Sequence, residues 1–282
     1  MSTLREKRKK ERRALRRRKT ADWTVVLILC AIAVCCGGYL IYHHWSVKQR
    51  ELEYEKLRQE ETLSAATETV IAEPETEEST EETVIYCDPV YDFGQLQEQN
   101  EDIYAWIVVP GTQVDYPLLQ SGTDNYYLDY NLDHSKGYPG CIYTNQCNRK
   151  DFSDYNTVLY GHNMKNGSMF GSIHSFEDET FFDGHPYIYV YTENERLTYE
   201  IYEAAKFTDV YIPSEYVISS KDDRDQFLAD VREKVSDNKL HVREDMEIGE
   251  EDRLITLSTC VSGERNHRYL VIGVLVETAL YR

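Results

Sequence analysis

Leu254-Ile255-Thr256-Leu257-Ser258-Thr259-Cys260-Val261 is an apolar run that ends in a thiol, and Arg268-Tyr269-Leu270-Val271-Ile272-Gly273-Val274 opens the next run eight residues after that thiol. Runs of this length, bounded by polar turn residues, read as β-strands. The sulfur then stands where a strand gives way to a loop, at the edge of a site. Two adjacent strands joined by that loop bring the Arg268 guanidinium beside Cys260. A fixed cation there favours the thiolate and holds the oxyanion that forms when a carbonyl is attacked. The plainer readings are a Cys that fills space as a small hydrophobe and an Arg that pairs with a surface carboxylate.

Further segments with the same β-branched and aromatic enrichment cover 105–109, 114–118, 141–144, 157–160, 187–191 and 197–208, alongside the strands at 253–258 and 269–277. Many short strands at this density predict a mainly β fold, a barrel or a sandwich. An amphipathic helix is expected over 90–104 and a short one over 168–176. A longer helix is expected over 221–236, where Phe227, Leu228, Val231 and Val235 form one stripe with charges opposite. That pattern places it on the surface of the β core. The sequence shows no internal repeat and no Gly-rich phosphate loop.

A second reactive group stands in Val158-Leu159-Tyr160-Gly161-His162-Asn163-Met164, again a strand running into a turn, with Gly161 freeing the backbone just before the imidazole. Of the eight histidines, His43 and His44 follow the apolar N-terminal stretch, and His134, His174, His185 and His241 lie in polar or helical surroundings. His267, next to Arg268, is the competitor. An imidazole near a thiol serves as general base and then protonates a leaving amine.

The net charge of -19 over 282 residues conceals two opposite blocks. Residues 1–20 hold eleven Lys and Arg against Glu6 and Glu11, a local +9 that leaves -28 for the rest. Such a block could be a nucleic-acid arm, but the stretch 23–42 that follows carries no charge and, as a helix, is long enough to cross a bilayer of about 30 Å. Basic residues on its N-terminal flank stay on the cytoplasmic side, so the rest of the chain is expected outside the cell. A cleaved secretory signal fits less well, because the apolar run is too long and no small-x-small site follows it. A lipid-modified Cys35 or Cys36 fits poorly beside bulky Val34. The expected organisation is a basic cytoplasmic tail over 1–22, a single transmembrane anchor over 23–42, a charged helical segment and Glu/Thr-rich disordered stalk over 43–87, and a folded domain over 88–282. Seven cysteines form no disulfide framework; Cys141 and Cys147 are either a pair or two small buried hydrophobes. No Cys/His spacing suits a zinc site.

The Thr256-Leu257-Ser258-Thr259-Cys260 pentad followed by Arg268, with Tyr160-Gly161-His162-Asn163-Met164 upstream, resembles the sortase family, class B most closely. The order His, Cys, Arg agrees, and the likeness extends over 88–282, including Tyr104-Ala105-Trp106-Ile107 and Asp115-Tyr116-Pro117-Leu118. The resemblance implies an eight-stranded sortase-type β-barrel with an N-terminal helix and the 221–236 helix between late strands. It implies a membrane-anchored transpeptidase whose Cys260 attacks the threonine carbonyl of a sorting motif in secreted proteins and is left as a thioester. An amine of a peptidoglycan crossbridge, or a pilin lysine, then resolves that thioester. Arg268 would hold the oxyanion, His162 would carry the proton, and Ser258 and Asn125 would line the substrate groove. No metal or organic cofactor is implied, and no nucleic-acid partner. Some class B members carry an acid directly after the cysteine, where this chain has Val261.

Two other readings stay in view. An exported papain-like peptidoglycan peptidase also uses Cys and His, but places the Cys first, whereas His162 here precedes Cys260 by 98 residues. A non-catalytic, membrane-tethered wall-binding module would make Cys260 structural and use the 23 tyrosines for glycan contact.

Overall fold

The computed structural model describes residues 2–65, 85–234 and 240–282 of the chain, which divides into two units, Met1–Glu53 and Tyr54–Arg282. Helix α1 (Ser2–Ala65) supplies the first unit and the start of the second. Within it one stretch, Val25–Gln59, is long enough to cross a membrane and contains an 18-residue window with a mean hydropathy of 2.5. Val25, Leu27, Ile28 and Ile32 are exposed.

The charged segment expected to be a solvated helix is packed at its end. Tyr54 and Leu57 are buried, and the Tyr54 hydroxyl donates to the Gly140 carbonyl at 3.2 Å. Arg58 Nε donates to the Asp115 carbonyl at 2.8 Å, and its guanidinium sits 4.9 Å from the Tyr116 ring centre. Residues three apart share a helix face, so two apolar side chains suffice to dock it. Most of the expected disordered stalk lies outside the described residues.

The elements that follow are β1 (Ile85–Cys87), α2 (Phe93–Gln99), β2 (Ile103–Val108), β3 (Asp115–Leu119), α3 (Tyr126–Asp129), β4 (Ile142–Thr144) and β5 (Asn156–Tyr160). After a 3-10 turn (Gly171–Glu177) come α4 (Glu179–Gly184), β6 (Tyr187–Tyr191), β7 (Glu195–Thr208), α5 (Ile212–Glu215), α6 (Lys221–Lys234), β8 (His241–Val242), β9 (Leu254–Val261) and β10 (Glu264–Tyr281). Strands β10, β9, β5, β4, β3, β2, β6 and β7 pair in that order, and β7 returns to β10 along nearly its whole length, closing an eight-stranded barrel. The short strands β1 and β8 extend β10 and β7 at their edges. Closure removes the open edges that an antiparallel sheet otherwise presents.

The barrel interior is filled by Ile107, Leu118, Leu159, Tyr199, Ile201, Leu257, Tyr269 and Val271, while Trp106, of opposite parity to Ile107, is buried on the outer face against Tyr91. A second cluster lies outside, where Phe227, Leu228 and Val231 of α6 cover Leu254, Leu270, Ile272, Val274 and Phe207. Strands β9 and β10 are therefore buried on both faces along their middle, which is why they read as continuous apolar runs. The α6 stripe behaves as expected; Val235 and Ser236, its last expected residues, lie outside the described ones.

The helix expected over 90–104 is shorter. Asp92 caps α2 by accepting from Gln95 N at 3.1 Å. Asn100 ends it, turning extended with its amide donating to the Leu132 carbonyl at 2.8 Å, and Ile103 onward is drawn into the sheet. The short helix expected over 168–176 is the 3-10 turn, shifted to Gly171–Glu177.

Candidate active site

Along β9, Leu254, Thr256, Ser258 and Cys260 project to the same face, because side chains in a strand alternate. Antiparallel pairing with β10 sets Val274 opposite Leu254, Ile272 opposite Thr256, Leu270 opposite Ser258 and Arg268 opposite Cys260. Cross-strand partners share a face, so the guanidinium and the thiol stand side by side on the outer face of the barrel. On the other flank β5 runs parallel to β9, with Val158 beside Thr256 and Tyr160 beside Ser258. The pairing continues past the strand end, where Gly161 N donates to the Ser258 carbonyl at 3.3 Å and Thr259 Oγ1 donates to the Gly161 carbonyl at 2.8 Å. His162 stands two residues past the end of β5, in the turn that leaves this side of β9. Strands β9 and β10 thus carry the thiol and the guanidinium to one end of one face, and the imidazole stands in the turn that follows β5.

Gly161 is required there by space. A Cβ at this position would come within 2.5 Å of Ile142 Cδ1 and 2.8 Å of Phe170 Cδ2. His162 Nε2 lies 2.7 Å from the Leu128 carbonyl, and Tyr138 lies with its ring centre 4.9 Å from the imidazole. A carbonyl only accepts, so Nε2 carries a proton and Nδ1 is the nitrogen whose protonation can change.

Arg268 has no carboxylate partner among the described residues; its Nη1 donates to the His267 carbonyl at 2.9 Å and the Arg265 carbonyl at 3.3 Å. The surface ion pair is therefore not its role. His267 is held elsewhere, with Nδ1 2.9 Å from Glu264 Oε2 and opposite strand parity to Arg268. Cys260 is exposed, and together with Val261, Gly263, Glu264, Arg265 and Arg268 it lines an open cavity of about 310 Å³.

Beside the thiol, the face continues into a wall of tyrosines that sequence reasoning did not single out. Tyr143 pairs with Tyr160, their rings 5.6 Å apart, and Tyr211 stacks beyond at 6.2 Å. Burial pushes the Tyr143 and Tyr160 phenols well up and that of Tyr211 to about 12, so all three stay neutral; the neighbouring Cys260 adds to the rise at Tyr143. The Tyr160 hydroxyl is buried without a hydrogen-bond partner among the described residues. Asn125 belongs to this wall: its Oδ1 accepts from the Tyr143 hydroxyl at 3.0 Å, and Asn145 links it to Tyr211 through a 2.9 Å bond. Ser258 is buried in the floor between Tyr160 and Leu270.

A polar chain also reaches the nucleophile candidate from behind. Asn163 Nδ2 donates to the Cys260 carbonyl at 2.7 Å and lies 3.0 Å from His174 Nε2, whose Nδ1 is 2.8 Å from Glu177 Oε1. The only advance signs were the i, i+3 spacing of His174 and Glu177 and the adjacency of Asn163 to His162. All the described cysteines are free thiols: Cys141 is buried beside the Tyr54 hydroxyl, whereas Cys147 is exposed beside that of Tyr211. They are neither a pair nor both core residues.

The profile of the sortase domain matches residues 107–276, more than half of the chain. A sortase B of Listeria monocytogenes is 35% identical over 58% of this chain, a match that spans 65% of the Listeria protein. The crystal structure of Clostridium perfringens sortase B is 30% identical, with a TM-score of 0.59 over 66% of this chain and 100% of that one. A Staphylococcus aureus sortase B-substrate complex is 27% identical, with a TM-score of 0.63 over 82% of this chain and 97% of that one. A closed eight-stranded barrel, a Cys and an Arg paired across two of its strands, and a domain match over 107–276 converge on one statement: the chain belongs to the sortase family of cysteine transpeptidases.

Proposed function

We propose that this chain is a class B-type sortase anchored by one N-terminal helix, with its basic tail over 1–22 in the cytoplasm and the barrel outside the cell. Cys260 is the nucleophile. Its thiolate attacks the threonine carbonyl of a sorting motif in a secreted protein, and Arg268 holds the oxyanion of the tetrahedral intermediate. As the peptide C–N bond breaks, His162 gives its proton to the departing amine, and the acyl group stays on sulfur as a thioester. An amine of a peptidoglycan crossbridge, or a pilin lysine, loses a proton to His162, attacks the thioester and expels the thiolate, leaving a new amide.

The observation that carries this reading is the register pair of Arg268 and Cys260, with His162 in the turn after β5, the strand on the other flank of β9. The tyrosine wall suits a substrate laid across the outer face: Tyr143, Tyr160 and Tyr211 offer apolar faces with neutral hydroxyls, and Asn125 and Ser258 bound the same groove. Mass spectrometry of the full chain incubated with a library of sorting-type peptides and candidate amines tests it. A thioester mass on the peptide containing Cys260, followed by an amide product, is the expected result. Turnover that persists in Cys260→Ala removes the assignment.

A further inference from the structure

The nucleophile's backbone is gripped by a chain of three side chains that neither attack nor hold the oxyanion. Glu177 Oε1 is 2.8 Å from His174 Nδ1, His174 Nε2 is 3.0 Å from Asn163 Nδ2, and Asn163 Nδ2 is 2.7 Å from the Cys260 carbonyl. Asn163 Nδ2 also lies 3.3 Å from Ser262 Oγ, and His174 Nε2 lies 3.1 Å from the same Cys260 carbonyl. The two amide hydrogens of Asn163 go to the two shortest of its three contacts. Glu177 fixes a proton on Nδ1, the Nε2 lone pair accepts one amide hydrogen of Asn163, and the other amide hydrogen goes to Cys260. If the ring carries both protons, Nε2–H donates directly to the same oxygen. Either form keeps a donor on that carbonyl. The imidazole is further fixed by stacking on Tyr269, one residue from Arg268, with ring centres 4.9 Å apart and planes at 23°.

The peptide being gripped is the one that leaves the reactive residue at a strand end, just before the Ser262-Gly263 turn. Past the end of β5 no ladder holds this oxygen on that side, so without a donor the Cys260 backbone would be held by its pairing with β10 alone, and the sulfur would be less well fixed. We infer that Glu177, His174 and Asn163 form a positioning relay that clamps the Cys260 carbonyl and so holds the thiol in line with Arg268 and His162. The inference rests on the reading of Cys260 as the nucleophile. Misplacing a reacting atom by about 1 Å costs on the order of 10²-fold, and partial loss of alignment about tenfold.

The test compares two reagents on the full chain in detergent micelles. Acylation by p-nitrophenyl acetate passes through an oxyanion and needs the sulfur aligned with Arg268, whereas alkylation by iodoacetamide needs only an exposed thiol. Rates are read at Cys260 itself by peptide mass spectrometry, because Cys147 is exposed too. Asn163→Ala, and His174→Phe, which keeps a ring on Tyr269 but removes both nitrogens, are each expected to slow acylation about tenfold while alkylation stays within about twofold. The double variant should be no slower than Asn163→Ala, since members of one relay do not add. Should His174→Phe fail to fold, Glu177→Gln, which keeps the shape and removes the charge, carries the same test. Acylation within about twofold of the parent, acylation and alkylation falling together, or an additive double variant would overturn the relay. A parent protein whose Cys260 acylates no faster than Cys147 would overturn the nucleophile assignment and the relay with it.

Discussion

The outer face of the β9–β10 ladder is treated differently at its two ends. Over Leu254, Leu270, Ile272 and Val274 it is roofed by α6, while at Cys260 and Arg268 the same two strands emerge from that cover and Cys260 is exposed. The roofed end buries apolar side chains on both faces and serves stability. The open end carries a thiol and a guanidinium, and on the function proposed above it serves chemistry. One ladder therefore separates the two tasks along its length, and substitutions at its ends should dissociate activity from stability.

The largest effect expected is on chemistry. Cys260→Ala should reduce transpeptidation by at least about 10⁴-fold, with the thermal unfolding midpoint unchanged, because an exposed strand-end thiol contributes little packing. A midpoint that drops by several degrees would mean the open end is structural after all. At the roofed end, Phe227→Ala should lower the free energy of unfolding by about 3–5 kcal/mol, measured by urea titration, while turnover below the transition stays near that of the parent. Equal loss of turnover would break the separation.

Arg268→Lys should slow turnover about 10²-fold, because an ammonium cannot present the planar fork of donors. Steady-state kinetics should assign the loss to kcat more than to KM, and urea titration should show an unchanged midpoint. The smallest effect belongs to Glu203, fully buried in β7 with Arg232 Nε 3.5 Å away. Burial pushes its carboxyl up to about 7, against the lowering effect of Arg232. A folded-state value above the unfolded one means that the folded protein holds the proton more tightly. Its contribution to stability is then complete below the unfolded value and fades as pH rises through about 7. Stability measured from pH 5 to 8 should decline in the parent and flatten in Glu203→Gln, with a difference on the order of 1–3 kcal/mol at pH 8. Identical pH profiles would show that the carboxylate is solvated in the folded state.

The strands buried on both faces were the easiest to read, since 254–258 and 269–274 carry nothing but apolar and small polar residues. Strands β7 and β10 extend beyond their apolar centres through charged residues such as Glu195, Arg196 and Glu277, which Arg196 and Glu277 stabilise by a 2.8 Å ion pair that no local pattern announces. The convergence of Cys260 and Arg268 was legible because two apolar runs joined by a short loop pair antiparallel and set the two residues opposite one another. The tyrosine wall was not, because Tyr143, Tyr160 and Tyr211 lie on three separate segments and look like ordinary strand or loop aromatics. His174 looked like a surface residue on a short turn. Its importance depends on a carbonyl 86 positions away, a distance in sequence at which spacing says nothing.

The docking of Tyr54, Leu57 and Arg58 bears on how the catalytic unit is best produced. A recombinant fragment cut at the first barrel strand would strip a cover from Tyr116 and leave Gly140 and Asp115 without their Tyr54 and Arg58 donors. A fragment that begins a few residues before Tyr54 keeps that brace while leaving behind the exposed apolar stretch over 25–42, and should be the more soluble and better-behaved enzyme on the bench.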